Sequence, residues 1–222
     1  GQSAAGLVLP YLESQDRNQR FVATYFFLAV QYPTALDAVA RRLYDVEPRI
    51  RYLAADALRG YAGEGSYTRI LQSLREQLKV PVLETQVTTV QVLGQLRDPR
   101  AVPSLIPLVV SPQQPLRSAA TSALAVICAQ AFEQDVTHWA QWWRANYAKP
   151  REAWLVSSLR HENINLQRIA FTELQLMTGY SGTFDPNASP EDKEPVVRVW
   201  ENWLRELERS RSGGQGTQQP SA

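Results

Sequence analysis

Residues 50–58, Ile-Arg-Tyr-Leu-Ala-Ala-Asp-Ala-Leu, indicate the fold because their pattern returns later in the chain. Residues 116–124 are Leu-Arg-Ser-Ala-Ala-Thr-Ser-Ala-Leu, so an aliphatic residue, an Arg, an Ala and a closing Ala-Leu occupy the same positions in both segments. In each copy the apolar residues are spaced three and four apart, which places them on one side of a helix. The repetition predicts stacked helices that bury this side against their neighbours.

Three further segments fit the same order of aliphatic, Arg and Ala positions, which we call the repeat frame. The last buried position of the frame falls at Phe27, Leu58, Val92 and Leu124, at spacings of 31, 34 and 32 residues. The next such position, Leu174, follows after 50 residues, and this longer spacing predicts an inserted helix. A shorter amphipathic helix is predicted before the later copies, over residues 34–44, 66–78, 101–110 and 151–159. Because no segment alternates with a period of two over several residues, the sequence does not favour a β fold.

Two consecutive segments resemble a known repeat family. Residues 97–108, Arg-Asp-Pro-Arg-Ala-Val-Pro-Ser-Leu-Ile-Pro-Leu, resemble the first helix of a HEAT-like repeat, and residues 116–124 resemble its second helix. Together they resemble the roughly 30-residue variety shared with bilin-lyase subunits. The resemblance covers residues 15–178 and is weakest over 66–96, where Glu84 takes an aliphatic position and Thr85 replaces the Arg. It implies an all-α fold, a right-handed α-solenoid of about five HEAT-like helix pairs with Trp-rich C-terminal helices.

All six Trp residues lie between residues 139 and 203. A Trp-x-x-Trp element at Trp139 and Trp142 returns at Trp200 and Trp203, at an offset of 61 residues, an arrangement similar to one in large bacterial HEAT-like proteins. Residues three apart share one side of a helix, so we expect each pair to pack against a neighbouring repeat and not to form a docking patch. Residues 1–209 are predicted to form a single solenoid with a Trp-rich part over 139–209, and residues 210–222 a disordered tail.

Charge, cysteine content and hydropathy limit the function. Lys plus Arg number 23 against 22 Asp plus Glu, and this balance does not favour nucleic-acid binding. Cys128 is the single cysteine, so an internal disulfide is excluded and a core position is expected. The longest apolar stretch, residues 21–30, is about half of a membrane span, and no signal peptide is visible. We expect a cytoplasmic location, or an extracytoplasmic one if an upstream signal was removed.

Several charged motifs have both a chemical and a structural interpretation. His161-Glu162 is one copy of a pair that HEAT-like metal hydroxylases use repeatedly, so a surface turn is the better interpretation. Arg20, Arg51 and Arg117 recur at one frame position, and such an Arg commonly ties repeats together through acids or carbonyls. We therefore expect these residues to be structural.

One segment imitates the opening of a calcium-binding loop. Asp185, Asn187 and Ser189 stand at alternate positions, as the first ligands of such a loop do. Pro190 occupies the position that needs Gly, however, and Val196 the position that needs a bidentate Glu. Ser189 is instead predicted to cap the last helix. No catalytic residue, metal or cofactor is expected.

The candidate interaction surface is the side of each second helix that faces away from the core. In the first copy it carries Phe21, Tyr25 and Leu28, so that this helix is apolar almost all round. The equivalents in the later copies are Tyr52, Asp56 and Arg59, then Gln86, Val90 and Leu93, then Ser118, Ser122 and Ala125. Either other residues cover the first of these surfaces, such as a segment upstream of Gly1, or it binds a partner through aromatic anchors at Phe21, Tyr25 and Tyr52.

Three functional hypotheses follow. We expect a non-enzymatic scaffold or adaptor that presents the concave second-helix surface to another protein. The alternative that the resemblance implies is a subunit of a HEAT-like enzyme of the bilin-lyase type. A nucleic-acid-binding HEAT-like protein is the third alternative, which the charge balance does not favour. Fold alone does not choose among them.

Overall fold

The computed structural model describes residues 2–213 and the side chains of residues 3–211, and within this range the chain forms helices and turns without a strand. The second helices of the five repeats are α2 (Arg17–Ala29), α4 (Pro48–Arg59), α6 (Leu83–Gln95), α8 (Gln114–Cys128) and α11 (Ile164–Thr178). The first helices are α1 (Gln2–Val8), α3 (Leu36–Arg41), α5 (Gly65–Gln77), α7 (Val102–Leu105) and α10 (Arg151–Ser158). Two further helices, α9 (Val136–Asn146) and α12 (Pro190–Gly213), carry the Trp-rich elements.

The predicted all-α solenoid is confirmed. Short 3₁₀ turns extend α3 and α7 so that the first-helix segments cover nearly the predicted ranges, and α9 is the predicted inserted helix. Helix α12 continues to Gly213, beyond the predicted end near Arg209. The remainder of the predicted tail, residues 214–222, lies outside the described residues.

Polar caps fix where the helices begin. The carboxylates of Asp16, Glu47 and Asp135 accept hydrogen bonds from backbone N–H groups in the first turns of α2, α4 and α9. The side chain of Asn163 does the same for α11, and Ser189 Oγ accepts from a backbone N–H at the start of α12, as predicted. Such caps satisfy donors that have no partner inside the helix. In these five helices the polar residue before the first turn therefore marks where the helix begins.

The core extends along the array and does not surround a single centre. Buried apolar side chains form two clusters, one from Ala5 to Trp154 and the other from Ala129 to Trp200. Helices approach most closely where side chains are small: a Cβ atom added to Gly94 would lie 2.9 Å from the Cβ of Ala123. Gly94 thus lets α6 pack directly on α8.

Packing at Gly94 also corrects the predicted register of α6. Val90 and Leu93, expected to face away from the core, are buried, whereas Gln91 is exposed. The orientation of α6 directs Gly94 towards α8, so the frame is displaced by one residue and Leu93, not Val92, is the equivalent of Leu58. This is the repeat in which the sequence resemblance is weakest.

The predicted core role is confirmed for one Trp of each pair, while the other, Trp142 or Trp203, is partly buried against the same cluster. Trp139 is fully buried and its ring centroid lies 4.9 Å from that of Phe132. Trp200 is also buried and lies 4.9 Å from Tyr180 and 6.3 Å from Phe171. Burial of one Trp removes about 150–250 Å² from water, so each indole makes a large apolar contribution to the C-terminal part.

The repeated Arg residues have structural roles, but only Arg20 joins two repeats, whereas Arg51 and Arg117 bind backbone carbonyls within their own repeats. Arg20 binds Asp45 of the next repeat through two hydrogen bonds, Nε to Oδ2 at 2.7 Å and Nη2 to Oδ1 at 3.0 Å. Arg51 donates to the Asp45 carbonyl at 2.7 Å, and Arg117 to the Ser111 carbonyl at 2.6 Å. Burial raises the pKa of Asp45, but its hydrogen bonds and the charge of Arg20 outweigh burial and hold the pKa below its ordinary value.

Candidate functional site

The predicted interaction residues of the first two repeats lie on neighbouring helices. Phe21, Tyr25 and Leu28 are exposed on one side of α2, and Tyr25 is 59% exposed. Tyr52 lies on the equivalent side of α4, which packs beside α2, and is 58% exposed. We call the surface formed by Phe21, Tyr25, Leu28, Tyr52, Asp56 and Arg59 the second-helix face. This surface is the candidate interaction site of the chain.

The two charged residues of the second-helix face, Asp56 and Arg59, differ in solvent exposure and in how their side chains are held. Asp56 is exposed, and one of its oxygens lies 3.9 Å from Arg59. The Arg59 side chain is only 24% exposed, because its Nη1 also lies 3.4 Å from the Glu173 Oε1 atom on α11. Arg59 is therefore held in place by a residue 114 positions away in sequence.

A groove continues the second-helix face across α4, α6 and α8. Its volume is ≈ 670 Å³, and Tyr52 belongs both to the groove and to the second-helix face. Small residues, Gly94, Ala119 and Ala123, contribute to its lining and keep it open. Its other polar side chains are those of Asp56, Gln91, Gln95, Arg97, Ser118 and Ser122. The groove thus combines an aromatic wall, small residues and hydrogen-bonding groups.

An arginine cluster lies at one end of the groove. The Glu173 carboxylate receives Arg97 Nε at 3.0 Å, Arg151 Nη1 at 3.3 Å and Arg59 Nη1 at 3.4 Å. Burial raises the pKa of Glu173, but the three guanidinium charges outweigh it and hold the pKa below its ordinary value. Together with Asp56, which lies 3.9 Å from Arg59, the cluster holds three guanidinium groups and two carboxylates, so positive charge is in excess by one at this end of the groove.

Backbone hydrogen bonds position Arg97 inside the cluster. Its Nη1 donates to the carbonyls of Gly94 at 2.9 Å and Gln95 at 3.1 Å, while its Nε faces Glu173. Arg97 itself has φ of +57°, a left-handed conformation that is uncommon for a residue with a side chain. The turn after α6 therefore holds this guanidinium at the groove lining.

Sequence reasoning missed Arg97, Arg151 and Glu173 as members of one site. The repeat frame relates neighbouring copies, whereas this cluster joins the second, third and fifth repeats. One signal was available: Glu173 stands at the frame position that Ala57 and Ala123 occupy in other copies. An acid at a core position requires a basic partner, because burying an unpaired charge costs several kcal/mol.

The remaining chemical candidates have structural roles in the described part of the chain. Cys128 is buried, and burial raises the pKa of its thiol. His161 Nδ1 accepts from the Asn163 backbone N–H at 2.9 Å, which forms the predicted turn. Residues 2–213 hold no group of three or more His, Cys, Asp or Glu side chains suited to a metal ion. Among the helices described, none combines the length and apolar character that a membrane crossing requires.

Comparisons with known proteins find similarity among solved structures alone. No family model and no curated protein matches the chain. Among solved structures, the complex of CpcE and CpcF of phycocyanin lyase from Nostoc sp. PCC7120 includes a similar chain, with 23% identity, 79% of this chain and 77% of that chain covered, and a TM-score of 0.42. An engineered protein shares 16% identity over 75% and 76% of the two chains, with a TM-score of 0.36. Computationally designed armadillo repeat proteins for modular peptide recognition share 15% identity over 78% and 82%, with a TM-score of 0.34.

The chain is an all-α helical repeat protein with HEAT-like helix pairs. The expectation that it is not an enzyme was wrong, because a phycocyanin lyase, which is an enzyme, is among the solved structures it resembles. Helical repeats of this kind are shared by binding proteins and enzyme complexes, so the repeat class does not separate these functions.

Proposed function

We propose that the chain binds an extended segment of a partner protein along the second-helix face and the groove, in a scaffold or adaptor role. The observation that carries this proposal is the continuity of the two surfaces at Tyr52. The exposed ring of Tyr52 on α4, the helix that packs beside α2, lines a groove that also holds hydrogen-bonding side chains. A cytoplasmic location remains part of the proposal on the basis of the sequence alone.

Aromatic anchors supply the apolar part of this interaction. Tyr25 and Tyr52 are each more than half exposed, so partner contacts would remove a large apolar area from water. Tyr residues are enriched among the residues that contribute most to binding, because a rigid ring ends in a hydrogen-bonding hydroxyl. Phe21 and Leu28 extend the same surface on α2.

Polar side chains of the groove suit a partner in extended conformation. An extended segment keeps its backbone N–H and C=O groups unpaired, and these groups need partners when they leave water. Gln91, Ser118 and Ser122 are exposed along the groove and can both donate and accept. A volume of ≈ 670 Å³ lies within the usual range of binding clefts, about 300–1,000 Å³.

The arginine cluster favours a partner segment with an acidic residue. Arg59, Arg97 and Arg151 outnumber the carboxylates beside them, Glu173 and Asp56, so an acidic residue of the partner would meet a net positive charge. Arg97 already donates Nε to Glu173 and Nη1 to two backbone carbonyls, so its Nη2 group is the one that faces a partner carboxylate, and a hydrogen bond between two charged groups is stronger than one between neutral groups. The proposed ligand therefore contains an aromatic or aliphatic residue and an acid.

A random-peptide display selection against the purified full chain tests the proposal. Peptides enriched by the wild type should contain an apolar residue and an Asp or Glu, and their binding should be lost with Tyr25→Ala/Tyr52→Ala. Arg97→Gln should lower the affinity for acidic peptides and not for their amide analogues. Tyr147→Ala is the matched control, since Tyr147 is exposed on α9's C-terminal side, away from the groove lining. Selection of peptides that bind the double variant equally well would refute the proposal.

A further inference from the structure

The arginine cluster joins helices that are not neighbours in the array. The second helices stack in the order α4, α6, α8 and α11, and consecutive members of this order contact one another. Packed helices lie about 8–10 Å apart, so a straight stack would place α4 and α11 three such steps apart, farther than an Arg and a Glu side chain reach together. Arg59 at the end of α4 nevertheless lies 3.4 Å from Glu173 on α11. The stack therefore curves, so that the C-terminal end of α4 meets α11.

The Glu173 carboxylate holds this curvature. It faces Arg97 Nε at 3.0 Å and Arg151 Nη1 at 3.3 Å as well as Arg59, so it binds groups from the second, third and fifth repeats. The Glu173 side chain is only 10% exposed, and removing one partner of a buried ion pair leaves an uncompensated charge. The ion pairs across the curved side therefore depend on one carboxylate.

Polar contacts attach the fifth repeat to the end of α8. Arg151 Nε donates to the Ile127 carbonyl at 2.9 Å, and Ser158 Oγ donates to the Ala129 carbonyl at 2.8 Å. The two clusters of buried apolar side chains also meet here, since the second cluster begins at Ala129, directly after α8. Hydrogen bonds are exchanged for water at a small net free energy, whereas separating close-packed apolar surfaces exposes them. This junction therefore opens more easily than the apolar packing of α6 on α8.

Trp154 provides a pivot at the same junction. It lies on α10, but its ring packs in the first cluster, with ring centroids 5.2 Å from Trp142 and 5.9 Å from Trp143. The residues that follow it, Leu155 and Val156, pack in the second cluster with apolar side chains of α11 and α12. Helices α10, α11 and α12 thus share one apolar interior, which we call the C-terminal unit.

We propose that the arginine cluster is a latch: when it is released, the C-terminal unit moves away from α4 about the Trp154 contact, and the array becomes straighter. Each charged group of the latch can exchange its protein partner for water, so release leaves the apolar interiors on both sides intact. Such a movement is a hinge motion, in which two packed bodies keep their structure and a few residues between them change. Because Arg97 lines the groove, release also opens the groove at that end.

Pulsed electron–electron resonance between spin labels at Ala62→Cys and Leu176→Cys tests the proposal. Both positions are exposed, the first in the turn after α4 and the second on α11, whereas Cys128 is buried and stays unlabelled. The labelled chain without further changes should give one narrow distance distribution. Glu173→Gln should shift it to longer distances, because an uncharged amide does not hold the guanidinium groups. Arg59→Gln should produce a smaller shift in the same direction, since two guanidinium groups remain on the carboxylate.

Arg160→Gln is the matched control, because Arg160 pairs with Glu194 and Glu201 inside the C-terminal unit and should leave the distances unchanged. Distances in Glu173→Gln and Arg59→Gln that equal those of the unchanged chain would overturn the proposal. So would an unshifted Arg59→Gln beside a Glu173→Gln variant that gives the broad distribution of the urea-unfolded chain, since the cluster would then hold the fold and not its curvature. No peptide enters this experiment, so its outcome is independent of partner binding.

Discussion

The N-terminal and C-terminal parts of the array use aromatic residues in opposite ways. On α2 and α4, Tyr25 and Tyr52 are exposed on the second-helix face. In the Trp-rich part, Trp139 and Trp200 are buried against Phe132 and Tyr180. Within one helix the aromatic residues of both parts follow helical spacing, as Phe21 and Tyr25 do on α2 and Trp139 and Trp142 do on α9. Helical spacing therefore shows that aromatic residues share a side of a helix, and only the neighbouring helix decides whether that side is core or surface.

The largest expected effect is on folding and comes from the buried group. Trp200→Ala should lower the free energy of unfolding by about 3–5 kcal/mol, because it removes a buried indole and leaves a cavity. Tyr25→Ala should change it by less than about 0.5 kcal/mol, since the ring is exposed. Urea unfolding of both variants measures the contrast. Equal losses in the two variants would mean that Tyr25 is a core residue.

The arginine cluster joins the two parts, so its removal should weaken both. Glu173→Gln should destabilise the fold by about 3 kcal/mol at neutral pH, because Arg151 and its neighbours lose the carboxylate that compensates them. Urea unfolding of wild type and variant measures this difference, and Arg160→Gln on the exposed surface is the control, with an expected change below about 1 kcal/mol.

The stabilities of the wild type and of Glu173→Gln should depend differently on pH. The folded pKa of Glu173 lies below its ordinary value of 4.5, so its contribution to stability is complete above that value. It is lost as pH falls from the ordinary value through the folded pKa, where the carboxylate takes up a proton. The stability gap between wild type and Glu173→Gln should therefore narrow in acid. A gap that stays constant down to the acid transition would contradict the assigned ion pairs.

A smaller effect should distinguish the two buried Trp residues. Trp139 Nε1 donates to the Glu133 carbonyl at 3.0 Å, whereas Trp200 Nε1 is buried and has no hydrogen-bond partner in the described part of the chain. Trp139→Phe loses a hydrogen bond and Trp200→Phe removes an unpaired donor, so the first should cost about 1 kcal/mol more than the second. Thermal unfolding of the two variants checks this order, and a larger cost for Trp200→Phe would reverse it.

Much of the fold could be predicted from the sequence because a repeat is a local signal. The helix pairs and the Trp-rich helices follow from apolar spacing within about 15 residues, and the inserted helix α9 follows from the longer spacing between Leu124 and Leu174. The register of α6 was misplaced, because the decisive residue is Gly94 and a glycine has no apolar side chain to mark the buried side. Its role becomes clear only from Ala123 on the next helix.

Less of the candidate site was predictable. The aromatic part followed from the frame, since Phe21, Tyr25 and Tyr52 stand at outward positions. The arginine cluster at one end of the groove could not be predicted from the frame, because Arg59 and Glu173 are separated by 114 residues and meet only through the stacking of several repeats. Spacing along the chain describes adjacent repeats, and it contains no information about a cluster that several of them build together.

Isothermal titration of one display-selected acidic peptide tests the central claim, that the exposed rings of α2 and α4 form a binding surface and not part of the core. Tyr25→Ala/Tyr52→Ala should weaken binding at least about tenfold while the melting temperature stays that of the wild type. The Tyr147→Ala control should bind like the wild type. Unchanged affinity in the double variant, or loss of its folded structure, would contradict the account.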